Sequence, residues 1–434
     1  MKGDYTKKYC IIGGGVIGIG MAKCFTQSEI PFDLVESSND FGGNWNYKGS
    51  SSRMYDSVHL ITSKVNTQFS DFPMPADFPI YPSYKQFFSY LLQVIDHYKL
   101  RDHAEFNLEV KTLEPIGEFW RVTLSNGEER LYKGIVLCTG LLRERRMPNF
   151  PGHFDGEIIH SLDYRSSKQV EGKRVLVVGG GNSGCDIAVD AIRGAEKTFL
   201  SMRRGYHFIP KFTNGKPTQD WLAEIAPTFE NQTEFWNHVK KVFKMSGYDG
   251  TDFGLPTPDH DIQQAHPVLN SLVLYYIGHG DILAKPNIKE LKSKSVVFED
   301  GSEEEVDIII YATGFLVSFP FLSETVLRSD PQFSQLFARI FHRDYDNILF
   351  CGYVSSPSGI GNFSNTLGRL ASAYFLSMEK NTKAFQIFQK LKQGPSPDLG
   401  NKMYIHTERH YLEEDLWKVI KFANGLRAKF EEDL

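Results

Sequence analysis

No two cysteines stand close enough in this chain to make a C-x-x-C pair, and only five occur in 434 residues. Cys10, Cys24, Cys138, Cys185 and Cys351 are odd in number and widely spaced. That excludes a zinc knuckle, a dithiol redox centre and a disulfide scaffold, and it suits a reducing compartment, so a cytoplasmic location is expected. Basic charge is also scarce. Lys and Arg number 48 against 53 Asp and Glu, a net charge of -5, which is the wrong sign for binding nucleic acid by neutralising phosphates. No apolar run approaches the roughly 20 residues of a membrane span, and the first eight residues lack a secretory core. His207, His238, His260, His266 and His279 have no ligand spacing, so no metal site is expected.

What remains is an ordinary soluble composition, 41% hydrophobic and 23% charged, long enough for two or three domains. The first informative stretch is Tyr9-Cys10-Ile11-Ile12 running into Gly13-Gly14-Gly15-Val16-Ile17-Gly18. A short apolar strand therefore meets G-x-G-x-x-G, with a helix expected to follow. Phe32-Asp33-Leu34-Val35 reads as a second strand and ends at Glu36, 18 residues beyond Gly18. Gly13 makes the turn, Gly15 lets a pyrophosphate approach the backbone, and Gly18 allows close packing of helix on strand. Val16 and Ile17 open the helix whose N-terminus faces the phosphates, and Glu36 accepts hydrogen bonds from ribose hydroxyls.

The pattern recurs. Arg174 to Val178 reads as a strand, followed by Gly179-Gly180-Gly181-Asn182-Ser183-Gly184 and a helical run. The next strand ends at Arg203-Arg204, and Arg203 lies 19 residues beyond Gly184. An acid at that position binds an unphosphorylated ribose, whereas arginine welcomes a 2′-phosphate. The first site is thus assigned FAD or NAD, and the second NADP through Gly179, Gly181, Asn182, Ser183, Gly184, Arg203 and Arg204. Both copies close alike, Phe119–Leu124 leading through a Ser-Asn-Gly turn to a strand that stops at Thr139-Gly140, and Val296–Phe298 leading to one that stops at Thr313-Gly314. Small residues there let backbone pass near a cofactor, and Val110 is placed with the first set. The expected architecture is α/β, with two doubly wound Rossmann-like domains and the NADP domain inserted into the FAD domain. The expected division is 1–170 for the first part of the FAD domain, 171–305 for the NADP domain and 306–434 for the second FAD part with C-terminal helices. Helices are expected at Phe235–Met245, Pro267–Ile277 and Asn362–Met378. Residues 210–283 read as a helical insertion that covers the active cleft, with Gly247–Asp261 as its turn. Two dinucleotide sites without a dithiol leave oxygen, a quinone or a one-electron carrier as the acceptor.

Between the fingerprints, Phe154, Gly156, His160 and Tyr164 match F-x-G-x-x-x-H-x-x-x-[YF] at every fixed position. With Phe41-Gly42-Gly43-Asn44-Trp45, Phe69 to Pro75, Gly181 to Ala188 and Tyr311 to Phe315, the chain resembles the flavin-containing monooxygenases from about residue 8 to about residue 370. The resemblance implies FAD reduced by NADPH, uptake of O2, and a flavin hydroperoxide that oxygenates a small-molecule nucleophile such as an amine nitrogen or a sulfide sulfur. Gly43, Asn44 and Trp45 would then lie near the flavin, His160 would either tether the linker or touch a cofactor, and Tyr164 would pack at the domain junction. Ketone-oxidising relatives usually carry Trp where Tyr164 stands, so the N- and S-oxygenating branch is the nearer one. The family commonly has Asn three residues before a Lys in the strip reaching flavin and nicotinamide, and here that position is Ile61, before Lys64. Isoleucine offers no hydrogen bond. Thr62, Ser63 and Asn66 are therefore the candidates to supply it, and leakage of peroxide is expected. A ketone monooxygenase, a flavin reductase without oxygen insertion and a non-enzymatic redox sensor stay open as alternatives, as does a homodimer or higher homo-oligomer.

Overall fold

Strands Tyr9–Ile12 and Arg174–Val178 are almost wholly apolar because each is the buried centre of a parallel sheet. Tyr9–Ile12 lies between Phe32–Val35 and Gly134–Leu137, and Arg174–Val178 between Lys197–Ser201 and Ile308–Tyr311, all parallel. The computed structural model describes residues 4–50, 52–328, 333–354, 359–405, 407 and 412–434. These form two compact units, one of residues 1–52, 64–144 and 316–434, the other of residues 53–63 and 145–315.

The first unit holds a seven-stranded sheet in the order Leu336–Phe337, Phe341–His342, Ile348–Phe350, Gly134–Leu137, Tyr9–Ile12, Phe32–Val35, Ala104–Glu105. The late strand Ile348–Phe350 pairs with Gly134–Leu137 and completes this sheet. Helix Ile360–Glu379 packs along helix Val16–Gln27 at close range: the Ser364 hydroxyl donates to the Val16 carbonyl at 2.9 Å, and a β-carbon at Gly368 would lie 2.8 Å from the Gly20 carbonyl oxygen. Lys23, on the same helix, is fully buried and ion-paired with Asp71 at 2.5 Å. That pairing accounts for the acid in Phe69-Ser70-Asp71-Phe72, since a buried ammonium needs a countercharge.

The second unit holds a five-stranded parallel sheet in the order Ile282–Lys285, Lys197–Ser201, Arg174–Val178, Ile308–Tyr311, Glu157–His160. Each unit also carries a three-stranded antiparallel sheet, Val110–Ile116 with Phe119–Leu124 and Glu129–Tyr132 in the first, Ile288–Leu291 with Ser295–Phe298 and Glu303–Glu305 in the second. The Ser-Asn-Gly turn therefore leads first to Glu129–Tyr132, and only then to the buried strand. Within the insertion, helix Gln232–Met245 is longer than expected. The Pro267–Ile277 region begins instead as a short strand, Val268–Leu269, paired with Phe208–Ile209, and becomes helical only over Val273–His279. Among the described residues no helix is long and apolar enough to cross a membrane.

The units divide at other places than 170/171 and 305/306. Glu157–His160 pairs with Ile308–Tyr311, so both strands and the Thr313-Gly314 turn belong to the second unit. Residues 53–63 join it as well, although they sit in the sequence between parts of the first.

Candidate functional site

The two glycine loops are built alike. Gly13 at φ +105° and Gly179 at +120° turn the chain out of their strands in a geometry that L side chains resist. Their N–H groups donate to Val35 and Ser201 carbonyls, each at 2.9 Å. β-Carbons there would lie 2.6 Å from the Cys138 carbonyl oxygen and 2.5 Å from that of Ala312. A β-carbon at Gly18 would overlap the Gly13 carbonyl oxygen, and one at Gly184 that of Gly179. Gly15 and Gly181 cap the following helices in extended conformation, with Val16, Ile17 and Gly18 in the first turn of one and Asn182, Ser183 and Gly184 in the first turn of the other.

In the first unit Glu36 is buried, and its carboxylate accepts the N–H of Gly14 at 2.6 Å and of Ser38 at 2.7 Å. Two held oxygens still have lone pairs for ribose hydroxyls. Gly15 faces only Gly43, whose own β-carbon would come within 2.9 Å of the Gly15 Cα. Bare backbone at a helix N-terminus, next to a fixed acid, fits the pyrophosphate and ribose of FAD. The short 3-10 turn Gly43–Trp45 carries Asn44 and Trp45, the latter edge-on to Phe87 at 4.7 Å. The Thr139 hydroxyl is 2.7 Å from that of Tyr353, while Gly140, at φ +75°, faces open space. The Val110 side chain is in the core with Ile12, Val35 and Leu137, so only its backbone is left to meet a ligand.

In the second unit the register sets Val178 beside Ser201 as it sets Ile12 beside Val35. Met202, not Arg203, therefore stands where Glu36 stands, and a β-carbon at Gly180 would meet the Met202 sulfur at 2.7 Å. The arginines follow one and two residues later, a correction to the spacing argument. Arg203 is exposed; Arg204 is ion-paired at 3.1 Å with Asp259 of the insertion turn. Both still reach the end of the second strand, which fits a 2′-phosphate. Ser183 is exposed at the loop, whereas Asn182 has its side-chain oxygen committed to the Leu269 N–H at 2.8 Å. The Asp259–Arg204 pair puts an acid beside an arginine expected to meet the 2′-phosphate. Asp259→Asn is expected to lower the KM for NADPH by about two- to fivefold at low salt, fading as salt screens the charges. A KM that stays level or rises across the salt series would show that Arg204 does not meet the coenzyme.

The strip after Val58 divides between the units. Ile61, Thr62 and Ser63 belong to the second and Asn66 to the first, where it sits on the short helix Lys64–Thr67. Thr62 and Ser63 are buried, the Ser63 hydroxyl donating to Asp220 at 3.3 Å. Ile61 packs against the insertion's own apolar cluster around Ile209, Trp221 and Leu269.

His160 and Tyr164 turn out to be internal to the second unit. The Leu162 N–H donates to His160 Nδ1 at 3.2 Å, which leaves Nε2–H to donate to the Gly314 carbonyl at 3.1 Å. Burial lowers the pKa of this imidazole, in keeping with a neutral tautomer that holds the Thr313-Gly314 turn. The Thr313 hydroxyl donates to the Arg146 carbonyl at 2.5 Å, and Gly314 is at φ +89°. Tyr164 is buried and donates to Asp190 at 2.7 Å. Tyr55, Asp186, Lys211 and Asn270 form a polar group that motif reading passed over; its one sequence signal was an acid in Gly184-Cys185-Asp186-Ile187.

A family model described as flavin-binding monooxygenase-like matches residues 6–413. Flavin-containing monooxygenase 1 of Oryctolagus cuniculus is 34% identical over 365 residues, covering 77% of this chain and 67% of that protein. Among solved structures, a cyclohexanone monooxygenase with cyclohexanone bound has a TM-score of 0.72 at 18% identity, covering 98% of each chain. The S-allyl-L-cysteine S-oxygenase of Allium sativum has a TM-score of 0.66 at 18% identity, over 98% of this chain and 89% of that one. At such identity these two establish the α/β fold alone. The chain belongs to the flavin-binding monooxygenase-like family, and it is an FAD-dependent monooxygenase that draws its electrons from NADPH.

Proposed function

We propose that this enzyme oxygenates a soft nucleophile, an amine nitrogen or a sulfide sulfur, with FAD in the glycine loop of the first unit and NADP in that of the second. The observation that carries the cofactor assignment is the pair of matched loops whose second strands end in opposite chemistry, a buried Glu36 in one and Arg203-Arg204 in the other. Bound FAD, once reduced by NADPH, supplies the activated oxygen. The chain's own work is to bind and to shield. Gly13, Gly15 and Gly18 clear the backbone for the pyrophosphate, and Glu36 orients the ribose. Thr62, Ser63 and Asn66 are the candidates to hydrogen-bond the activated oxygen, in place of the asparagine that Ile61 replaces. No protein nucleophile is needed, because the substrate's lone pair performs the attack.

Tyr164 in place of Trp favours nitrogen or sulfur over a ketone, while the likeness to cyclohexanone monooxygenase keeps the ketone as a rival outcome. Turnover of a tertiary amine and a thioether under labelled O2 decides it. Label in an N-oxide or sulfoxide supports the proposal, a lactone from a cyclic ketone alone supports the rival, and NADPH consumed with no label in any product rejects both.

Ile61 gives a finer test. An asparagine there offers the missing donor at the cost of some packing in the insertion cluster. Ile61→Asn is expected to reduce hydrogen peroxide released per NADPH by about half or more. Release that holds steady or increases would mean the position does not govern coupling.

A further inference from the structure

Helix Asn182–Ala191 carries two carboxylates one turn apart, and each is taken by a tyrosine hydroxyl. Tyr164 donates to Asp190 at 2.7 Å and Tyr55 to Asp186 at 3.4 Å, and the two rings meet edge-on with centroids 5.7 Å apart. Asn270 donates its amide to the other Asp186 oxygen at 2.5 Å, while its own oxygen accepts the N–H groups of Leu272 and Val273, each at 2.8 Å. Lys211 completes the group. Its ammonium donates to the Leu60 carbonyl at 3.3 Å and feels the charge of Asp186, as does His59.

A buried carboxylate is costly unless it is matched. Burial raises the pKa of Asp186 and lowers that of Lys211, each against the attraction of the other. The glycine turn next to it closes without this group, through the Gly179 to Ser201 hydrogen bond. What Asp186 touches instead is residues 53–63, through Tyr55 directly and through Lys211 to Leu60, together with the insertion at Asn270. The same segment is tied to the rest of the second unit near its start by the Asp56 N–H to the Arg165 carbonyl at 2.8 Å and at its end by Ser63 to Asp220.

We propose that Asp186 is a positioning residue: with Lys211, Tyr55 and Asn270 it fastens residues 53–63 to the second nucleotide helix, and so holds Leu60 to Ser63 in place during oxygenation. The catalytic half of this inference rests on the proposed function; the fastening does not.

The test uses the FAD-loaded enzyme and the variants Asp186→Asn, Lys211→Met and their combination. Each single variant is expected to speed hydrogen exchange of the backbone amides in 53–63 by about tenfold, the worth of one good hydrogen bond. FAD content and the KM for NADPH stay within about twofold of wild type, and peroxide per NADPH rises about threefold, as a loosened strip admits water. Because the two charges attract each other and hold the same segment, the combination falls short of the sum of the single variants. Tyr55→Phe, which keeps the ring, gives a smaller change of the same sign and serves if Asp186→Asn does not fold. Exchange unchanged in both single variants, additive effects, or a KM for NADPH that climbs as steeply as the exchange rate would each overturn the proposal. Faster exchange with steady peroxide overturns its catalytic half. A wild-type enzyme that forms no oxygenated product overturns the proposed function, while the exchange rates still decide the fastening.

Discussion

Gly18→Ala yields a colourless protein, and Gly184→Ala a yellow one that NADPH no longer reduces. Both glycines stand on the first turn of a helix, and an added methyl group overlaps the carbonyl oxygen of the glycine that opens the loop, Gly13 in the first and Gly179 in the second. The oxygen belongs to backbone, not to a side chain that rotates aside, and its own residue is pinned by a hydrogen bond to the neighbouring strand. The loop must therefore shift, and with it the N–H groups that would line the pyrophosphate. Loss of cofactor affinity by a factor of about 10² or more is expected from displacing several such groups, each worth about 1.5–3 kcal/mol to a charged ligand. The flavin-to-protein absorbance ratio and the rate of flavin reduction on rapid mixing with NADPH read the two losses separately. Gly425→Ala is the control, since a β-carbon there meets nothing within 4 Å on helix Leu416–Glu431; it should gain about 0.5–1 kcal/mol of stability and change neither readout. If Gly184→Ala loses flavin as readily as Gly18→Ala, the loops do not serve separate cofactors.

These loops were legible in the sequence because each physical demand leaves its own mark. A strand buried on both faces must be apolar throughout, a positive φ calls for glycine, and a helix that crowds a strand calls for another glycine four or five residues on. Three features left no such mark. Residues 53–63 join the second unit through Tyr55, Asp56, Leu60 and Ser63, whose partners lie more than 100 residues away in sequence. Glu157–His160 looks like a polar connection, and only its pairing with Ile308–Tyr311 makes it an edge strand. Asn182 reads as a phosphate-loop residue, yet its side chain is spent on Leu269. The opposite charges do not fall on one equivalent position, because counting from glycine to charge ignores element length. The first copy has a helix of 12 residues and a second strand of 4, the second copy 10 and 5. Parallel register, not the count, gives Met202 the position in the second unit that Glu36 has in the first.

That register carries a prediction of its own: Met202→Glu combined with Arg203→Ser turns an NADPH enzyme into one that prefers NADH. A glutamate at 202 would stand beside Gly180 as Glu36 stands beside Gly14, where a backbone N–H at 2.6 Å holds the carboxylate ready for ribose hydroxyls. The same charge would repel a 2′-phosphate, and removing Arg203 would take away the charge-assisted bond proposed for it. One repulsion gained and one such bond lost amount to about 3–5 kcal/mol, so kcat/KM for NADPH should fall by roughly 10²–10³ or more while that for NADH rises about tenfold. Flavin content should not change, since the substitutions lie in the second unit. Met202→Gln separates the two contributions, for it can bond a ribose without repelling a phosphate. Arg203→Ser alone should cost NADPH about tenfold and leave NADH untouched; if it costs nothing, Arg203 is a solvated surface arginine and Arg204 alone recognises the phosphate. A double variant that still favours NADPH would mean the acid at 202 does not reach the ribose, and the equivalence of the two strand ends would fail with it.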